Sequence, residues 1–278
     1  MPTEAEAEAA TVTVTEAEAA SVTGAEVAIV TGAASGIGRA VAARLGAQGH
    51  PVALWDVNAA AGQQAAAELA AAGQTAEFMQ VDVSDRDRVA ESVAATAARL
   101  GPPQILVTCA AITHSAPIAE LATEDWYRVM RVDLDGTFFC LAEVAASLLR
   151  ANLPGSIVLI SSTAALSGFH KRGAYCAAKS GIVGLTRAAA LDLARHGIRV
   201  NSVAPGSTLT GMTEHNAADP AMREIIDVMP MKRWAQPAEI AEAVAFLAEP
   251  HSSFVTGIVL PVDGGWSAGR MSLSSGII

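Results

Sequence analysis

Val27-Ala28-Ile29-Val30-Thr31-Gly32-Ala33-Ala34-Ser35-Gly36-Ile37-Gly38 is the stretch whose reading decides the fold. Its apolar start reads as a short buried strand. The segment that follows, Arg39-Ala40-Val41-Ala42-Ala43-Arg44-Leu45, reads as a helix. Strand, Gly-rich turn and helix in that order is the context of a dinucleotide-binding fingerprint. Glycines at 32, 36 and 38 let backbone approach a pyrophosphate, and the helix start offers free N–H groups and a positive dipole end. A plain tight turn would carry the same glycines, so the next strand matters. Pro51-Val52-Ala53-Leu54-Trp55 ends in Asp56, eighteen residues after Gly38. A carboxylate there suits the adenosine ribose hydroxyls of NAD. It repels the extra phosphate of NADP, and Ser35, Val57 and Asn58 bring no positive charge to offset that.

Outward from this point the chain alternates strands and helices. Strands are expected near 26–31, 51–56, 76–81, 104–109, 155–161, 198–203 and 257–262. Helices are expected near 36–48, 59–72, 85–100, 122–151, 173–195 and 236–248. No linker-like break interrupts residues 25–268, so the expectation is one α/β domain built on a doubly wound parallel sheet of about seven strands, with helices on both faces. Residues 1–24, a Glu/Ala near-repeat around Thr11-Val12-Thr13-Val14-Thr15, read as a disordered tail, and 269–278 as a C-terminal tail. Residues 207–234 are the least regular part of the domain. They hold Pro220, Pro230 and four methionines, Met212 among them, which suits an adaptable apolar cover.

Tyr175 and Lys179 stand four residues apart in Tyr-Cys-Ala-Ala-Lys, on one helical face. A phenol has a reference pKa of about 10, and a fixed ammonium nearby favours its ionised form. Such a pair can move a proton at a hydroxyl or carbonyl oxygen.

Taken together these motifs make the chain resemble the short-chain dehydrogenase/reductase family, across about residues 25–268. The resemblance implies that Gly32, Ser35, Gly36, Ile37 and Gly38 form the cofactor turn, with Asp56 and Val57 at the ribose. It implies Asp82 and Val83 beside the adenine, and Cys109 and Ala110 along the adenosine side. It further implies Pro205, Gly206, Thr208 and Thr210 in the loop after the sixth strand. The family's catalytic Ser, thirteen residues before the Tyr, falls on Ser162. Val262-Asp263-Gly264-Gly265 matches the family's C-terminal motif. Two positions depart. The usual Asn-Asn-Ala-Gly is Thr108-Cys109-Ala110-Ala111, so Ala111 demands a backbone open to L-residues. The usual tetrad Asn is Asp133, whose carboxylate, if ionised near Lys179, would offset part of the ammonium's effect on Tyr175.

The implied activity is NAD(H)-dependent hydride transfer between nicotinamide and a secondary alcohol or ketone. Tyr175, Lys179 and Ser162 handle the oxygen and its proton, and Tyr175 and Lys179 also hold the cofactor. His114, Ser162, Tyr175 and Met212 are the expected substrate contacts. A cyclic or dihydro-diol substrate, a 3-oxoacyl thioester, a steroid, a sugar and a polyol all stay open. So do a non-redox relative and an NAD-binding scaffold. A non-redox relative would have less need of the intact glycine turn and Asp56, and a pure binder less need of the full Ser162/Tyr175/Lys179 set. Ala- and Leu-rich second faces on helices 122–151 and 173–195 match the family's dimers and tetramers.

Composition sets the outer limits. A net charge of −10 with no Lys/Arg cluster argues against nucleic acid. No apolar run approaches the roughly 20 residues needed to cross a membrane. Cys109, Cys140 and Cys176 show no metal-binding spacing, so no metal is expected, and they fit a reducing cytoplasm. The N-terminus lacks the positive start and apolar core of a signal peptide.

Overall fold

The computed structural model describes residues 25–211, 213, 224 and 226–269. The two tails and Met212 therefore lie outside the described residues. Chain order runs β1 (Val27–Thr31), α1 (Gly36–Ala47), β2 (Val52–Asp56), α2 (Ala59–Ala71), β3 (Ala76–Gln80), α3 (Arg86–Leu100) and β4 (Pro103–Thr108). It continues through α4 (Thr123–Met130), a π-helical segment (Arg131–Asp135), α5 (Gly136–Ala151), β5 (Gly155–Ile160), α6 (Gly173–Leu193), β6 (Ile198–Pro205), α7 (Pro237–Ala248) and β7 (Val259–Val262).

The seven strands form one sheet in the order β3-β2-β1-β4-β5-β6-β7, parallel at every pairing. Both faces are covered, because alternate residues of each strand feed different cores. Ala28 and Val30 pack with Val41, Leu45, Leu69 and Val244 from α1, α2 and α7. Ile29 packs with Val93, Leu141, Ile182 and Leu193 from α3, α5 and α6. Burial on both faces is why these strands read as continuous apolar runs in sequence. The chain leaves β1 in one direction through β2 and β3 and in the other through β4 to β7. That puts a crevice beyond the C-terminal ends of β1 and β4, where open α/β sheets bind ligands.

Most element ends fall within two residues of expectation, with one larger difference. The single helix expected over 122–151 is divided by the π-helical turn at Arg131–Asp135. Its centre, Asp133, is fully buried and accepts the Ile112 backbone N–H through Oδ1 at 2.8 Å. The widened turn carries that contact, and periodicity gives no sign of it. The helix expected over 173–195 closes as a 3₁₀ turn at Ala194–His196, with Gly197 in the left-handed region.

Candidate active site

The turn after β1 is shaped by close approach. A Cβ on Gly32, at φ +62°, would meet the Ala110 backbone nitrogen at 2.8 Å. A Cβ on Gly38 would collide with the Gly32 carbonyl. The turn is thus drawn against the end of β4, and the Thr31 hydroxyl accepts the Ala110 N–H at 3.0 Å. Ser35 caps α1 with its backbone only, and no acidic side chain occupies the first turn. The free amides of that turn open onto a cavity of about 650 Å³ at the C-terminal edge of the sheet. Every residue expected to touch the cofactor lines this one cavity, from the glycine turn through Asp82 and Val83 to Thr210.

At one end stands Asp56. Its carboxylate accepts the Ala34 N–H at 3.0 Å and the Asn58 N–H at 2.9 Å, so it is fixed in place with lone pairs left for a diol. The nearby Arg39 is taken up by Glu68. Asp82 makes a turn of its own, accepting the Ser84 N–H and hydroxyl. Ala111 is absent from the residues at positive φ, so alanine sits there without strain. The Thr108 hydroxyl is buried with no hydrogen-bond partner. Cys109 is partly accessible, yet the atoms crowding its sulfur push the thiol up to about 12, which rules out a thiolate nucleophile.

At the other end are Ser162, Tyr175 and Lys179. Ser162 follows β5, and its hydroxyl accepts the Ala164 N–H at 3.1 Å. Its own hydrogen stays free to point at a substrate oxygen. Tyr175 and Lys179 lie on the first turns of α6. The Lys179 ammonium is buried, donates to the Ile160 carbonyl at 3.1 Å, and stands 5.6 Å from the centre of the Tyr175 ring. Asp133 does not line the cavity but backs it. Its Oδ2 is 3.6 Å from Lys179 Nζ and has no hydrogen bond. Burial pushes this carboxyl above the ordinary Asp range, while the ammonium and the Ile112 N–H pull it down. The Asp133 backbone carbonyl accepts the Thr137 hydroxyl at 2.6 Å.

The expected substrate contact His114 is turned toward α4, its Nε2 3.4 Å from the Asp125 carboxylate. Several lining residues went unnoticed in the sequence. Trp55, Val132, Ile160 and Ser161 were within reach as neighbours of named positions, whereas Arg128 and Trp234 come from segments with no motif. Among the described residues no group of acidic, His and Cys side chains is placed to hold a metal, and no helix is long and apolar enough to cross a membrane.

The family model described as enoyl-(acyl carrier protein) reductase matches residues 32–267. Among curated proteins, the chain is 42% identical over 234 residues to a cis-4-hydroxycyclohexanecarboxylate dehydrogenase of Sinomonas cyclohexanicum, covering 84% of this chain and 93% of that one. It is 39% identical over 241 residues to a (3R)-3-hydroxyacyl-CoA dehydrogenase of Mus musculus, covering 83% and 92%. Among solved structures, levodione reductase superposes with a TM-score of 0.84 at 34% identity, covering 88% of this chain and 98% of that one. A variant of actinorhodin polyketide ketoreductase, solved with NADPH, gives 0.84 at 36%, with the same coverage. On its sheet, its cavity and these relatives, the chain belongs to the short-chain dehydrogenase/reductase family, whose enzymes use nicotinamide cofactors to act on CH–OH groups.

Proposed function

We propose that the protein is an NAD-dependent dehydrogenase that oxidises a secondary alcohol on a small, cyclic substrate. The observation that carries this is one cavity with a fixed ribose carboxylate at one end and Ser162, Tyr175 and Lys179 at the other. The glycine turn and the first-turn amides of α1 fit a pyrophosphate, since a side chain at Gly32 would close the cradle. Asp56 would hold the adenosine ribose hydroxyls, and Lys179 the nicotinamide ribose. When bound, the cofactor supplies the hydride acceptor.

The remaining work belongs to the chain. The Ser162 hydroxyl donates a hydrogen bond to the substrate oxygen and orients the alcohol. Tyr175 takes the hydroxyl proton onto its phenolic oxygen as the carbon–hydrogen bond is broken. The Lys179 ammonium favours negative charge on that oxygen, and its burial near 2% exposure keeps water from screening the effect. In reduction Tyr175 returns the proton.

Much of 207–234, the segment expected to cover the site, lies outside the described residues; where it is described, the Leu209 N–H donates to the Ala235 carbonyl at 2.9 Å. Exposed apolar side chains on α4, α5 and α6 (Tyr127, Phe138 and Leu191) support a homo-oligomer, dimer or tetramer. Three free cysteines fit a cytoplasmic setting. A 3-hydroxyacyl thioester is the second reading, favoured by the 39% identity to the mouse dehydrogenase.

The test is to mix the enzyme with cyclic secondary alcohols and either NAD or NADP, and follow the absorbance of reduced cofactor. Turnover with NAD at higher kcat/KM is expected. A higher kcat/KM with NADP would overturn the cofactor assignment, and no turnover with any alcohol, cyclic or 3-hydroxyacyl, would overturn the reaction.

A further inference from the structure

Asp133 lies directly behind the catalytic wall of the cavity. The residue before it, Val132, lines that cavity. So do Ile112, whose N–H it accepts at 2.8 Å, and Lys179, whose Nζ is 3.6 Å from its Oδ2. The carboxylate is fully buried and the Lys179 side chain nearly so. Oδ2 has no hydrogen-bond partner. A buried carboxylate oxygen left in that state is where a nearby positive charge gains most.

The charges at this wall can be counted. Among the described residues no other carboxylate pairs with Lys179. Tyr175 stands on the same helix, 5.6 Å from the ammonium at its ring centre. Cys109, at the end of β4, stays neutral because burial pushes its thiol up to about 12. Arg131 and Asp135, on the same π-helical turn as Asp133, are exposed and screened by water. Burial raises the Asp133 carboxyl, while the ammonium and the Ile112 N–H lower it. At about pH 8 the carboxyl is therefore ionised, and it and the ammonium sum to zero. A neutral side chain at 133 would leave one buried positive charge instead. Oxidised nicotinamide carries a positive charge that hydride uptake removes. A lone buried ammonium would repel the oxidised ring and be indifferent to the reduced one, and away from bulk water that repulsion is weakly screened.

We propose that Asp133 is the counter-charge for the oxidised nicotinamide, so that the site selects NAD over NADH and is set for alcohol oxidation. Asp133 acts through space, past the Lys179 ammonium, and touches neither cofactor nor substrate. It is a specificity-determining residue and not a catalytic one. The inference rests on the reading of Lys179 as the holder of the nicotinamide ribose, and it gives that reading a direction. Firm binding of NAD loads the enzyme for oxidation, and looser binding of NADH lets the reduced cofactor leave.

The experiment measures the Kd of NAD, NADH and ADP-ribose by calorimetry at about pH 8, where the carboxyl is ionised. It uses the full chain, unaltered and as Asp133→Asn, which keeps an acceptor for the Ile112 N–H. The unaltered protein is expected to bind NAD at least as tightly as NADH. In Asp133→Asn the affinity for NAD should fall by about tenfold, the order a unit charge makes across several ångströms at an effective dielectric near 20. NADH and ADP-ribose, which lack the ring charge, should keep their affinities. An equal loss for all three ligands marks a structural role for Asp133 and overturns the inference. So does an NAD-to-NADH ratio that the substitution leaves unmoved. NADH bound more than about tenfold tighter than NAD by the unaltered protein overturns it without need of the variant. In each of these cases turnover of alcohols with NAD leaves the dehydrogenase reading standing. Binding of none of the three ligands overturns that reading, and the inference with it.

Discussion

Tyr175 and Asp133 both lie beside the Lys179 ammonium, 5.6 Å away at the ring centre and 3.6 Å at the carboxylate, and each makes a separable prediction. Tyr175→Phe removes one hydroxyl from a ring that otherwise packs against Val129 and Ala178. The fold and the affinity for NAD should persist, while kcat falls by about 10²–10⁴, the usual contribution of a positioned acid/base. Stopped turnover assays beside cofactor titration check this, and retention of more than a tenth of kcat would remove Tyr175 from that role. Asp133→Asn keeps an acceptor for the Ile112 N–H, so the local turn should survive. It deletes the carboxylate 3.6 Å from Lys179. An ionised Asp133 cancels part of the ammonium's pull on the Tyr175 oxygen, and its removal leaves that pull whole. The acidic limb of the oxidation pH–rate profile should therefore move to lower pH. The raised carboxyl of Asp133 limits the size of the move, since only its ionised fraction opposes Lys179. A limb that stays in place would show that the side chain is silent toward Tyr175.

Among the elements, β4 carries the clearest energetic anomaly. Thr108 pairs in register with Thr31 on one side and Leu159 on the other, at the centre of the sheet. Its hydroxyl is buried without a partner. A lone buried hydroxyl costs about 1 kcal/mol or more, whereas the isosteric apolar side chain does not. Thr108→Val should leave activity near normal and raise the melting temperature by about 2–4 °C, the shift that about 1 kcal/mol makes in a chain of this size. Differential scanning calorimetry decides it, and a fall of similar size would reveal a partner for that hydroxyl. The π-helical turn between α4 and α5 is the complementary case. Here a polar group is buried, yet Asp133 finds an N–H, and the turn widens to deliver it.

For the whole molecule, the proposed homo-oligomer would use the exposed faces of α4, α5 and α6. Leu191 is 82% exposed and Tyr127 62%, well beyond what a single core stripe explains. Leu191→Glu should lower the mass measured by light scattering at a given concentration, because a buried charge at a subunit contact is costly. An unchanged mass would place the contact elsewhere, for example at the exposed Phe246 and Phe254.

What the sequence determined by itself was whatever short-range spacing encodes. The glycine turn, the strand ending in Asp56 and the Tyr175/Lys179 pair are each set by neighbours within about twenty residues. Periodicity and turn chemistry therefore expose them directly. The doubly wound sheet followed, since buried parallel strands leave continuous apolar runs between helices. Only the tertiary structure decided which distant groups meet. That Asp133 faces Lys179 depends on how the π-helical turn packs against α6, which no residue spacing states. That Thr113 braces Arg172 depends on the loop after β4 pairing with the segment before α6. That His114, which follows β4, lies 3.4 Å from the Asp125 carboxylate depends on where α4 packs. Local pattern fixes elements, while contacts between elements are set by packing angles that accumulate over the whole chain.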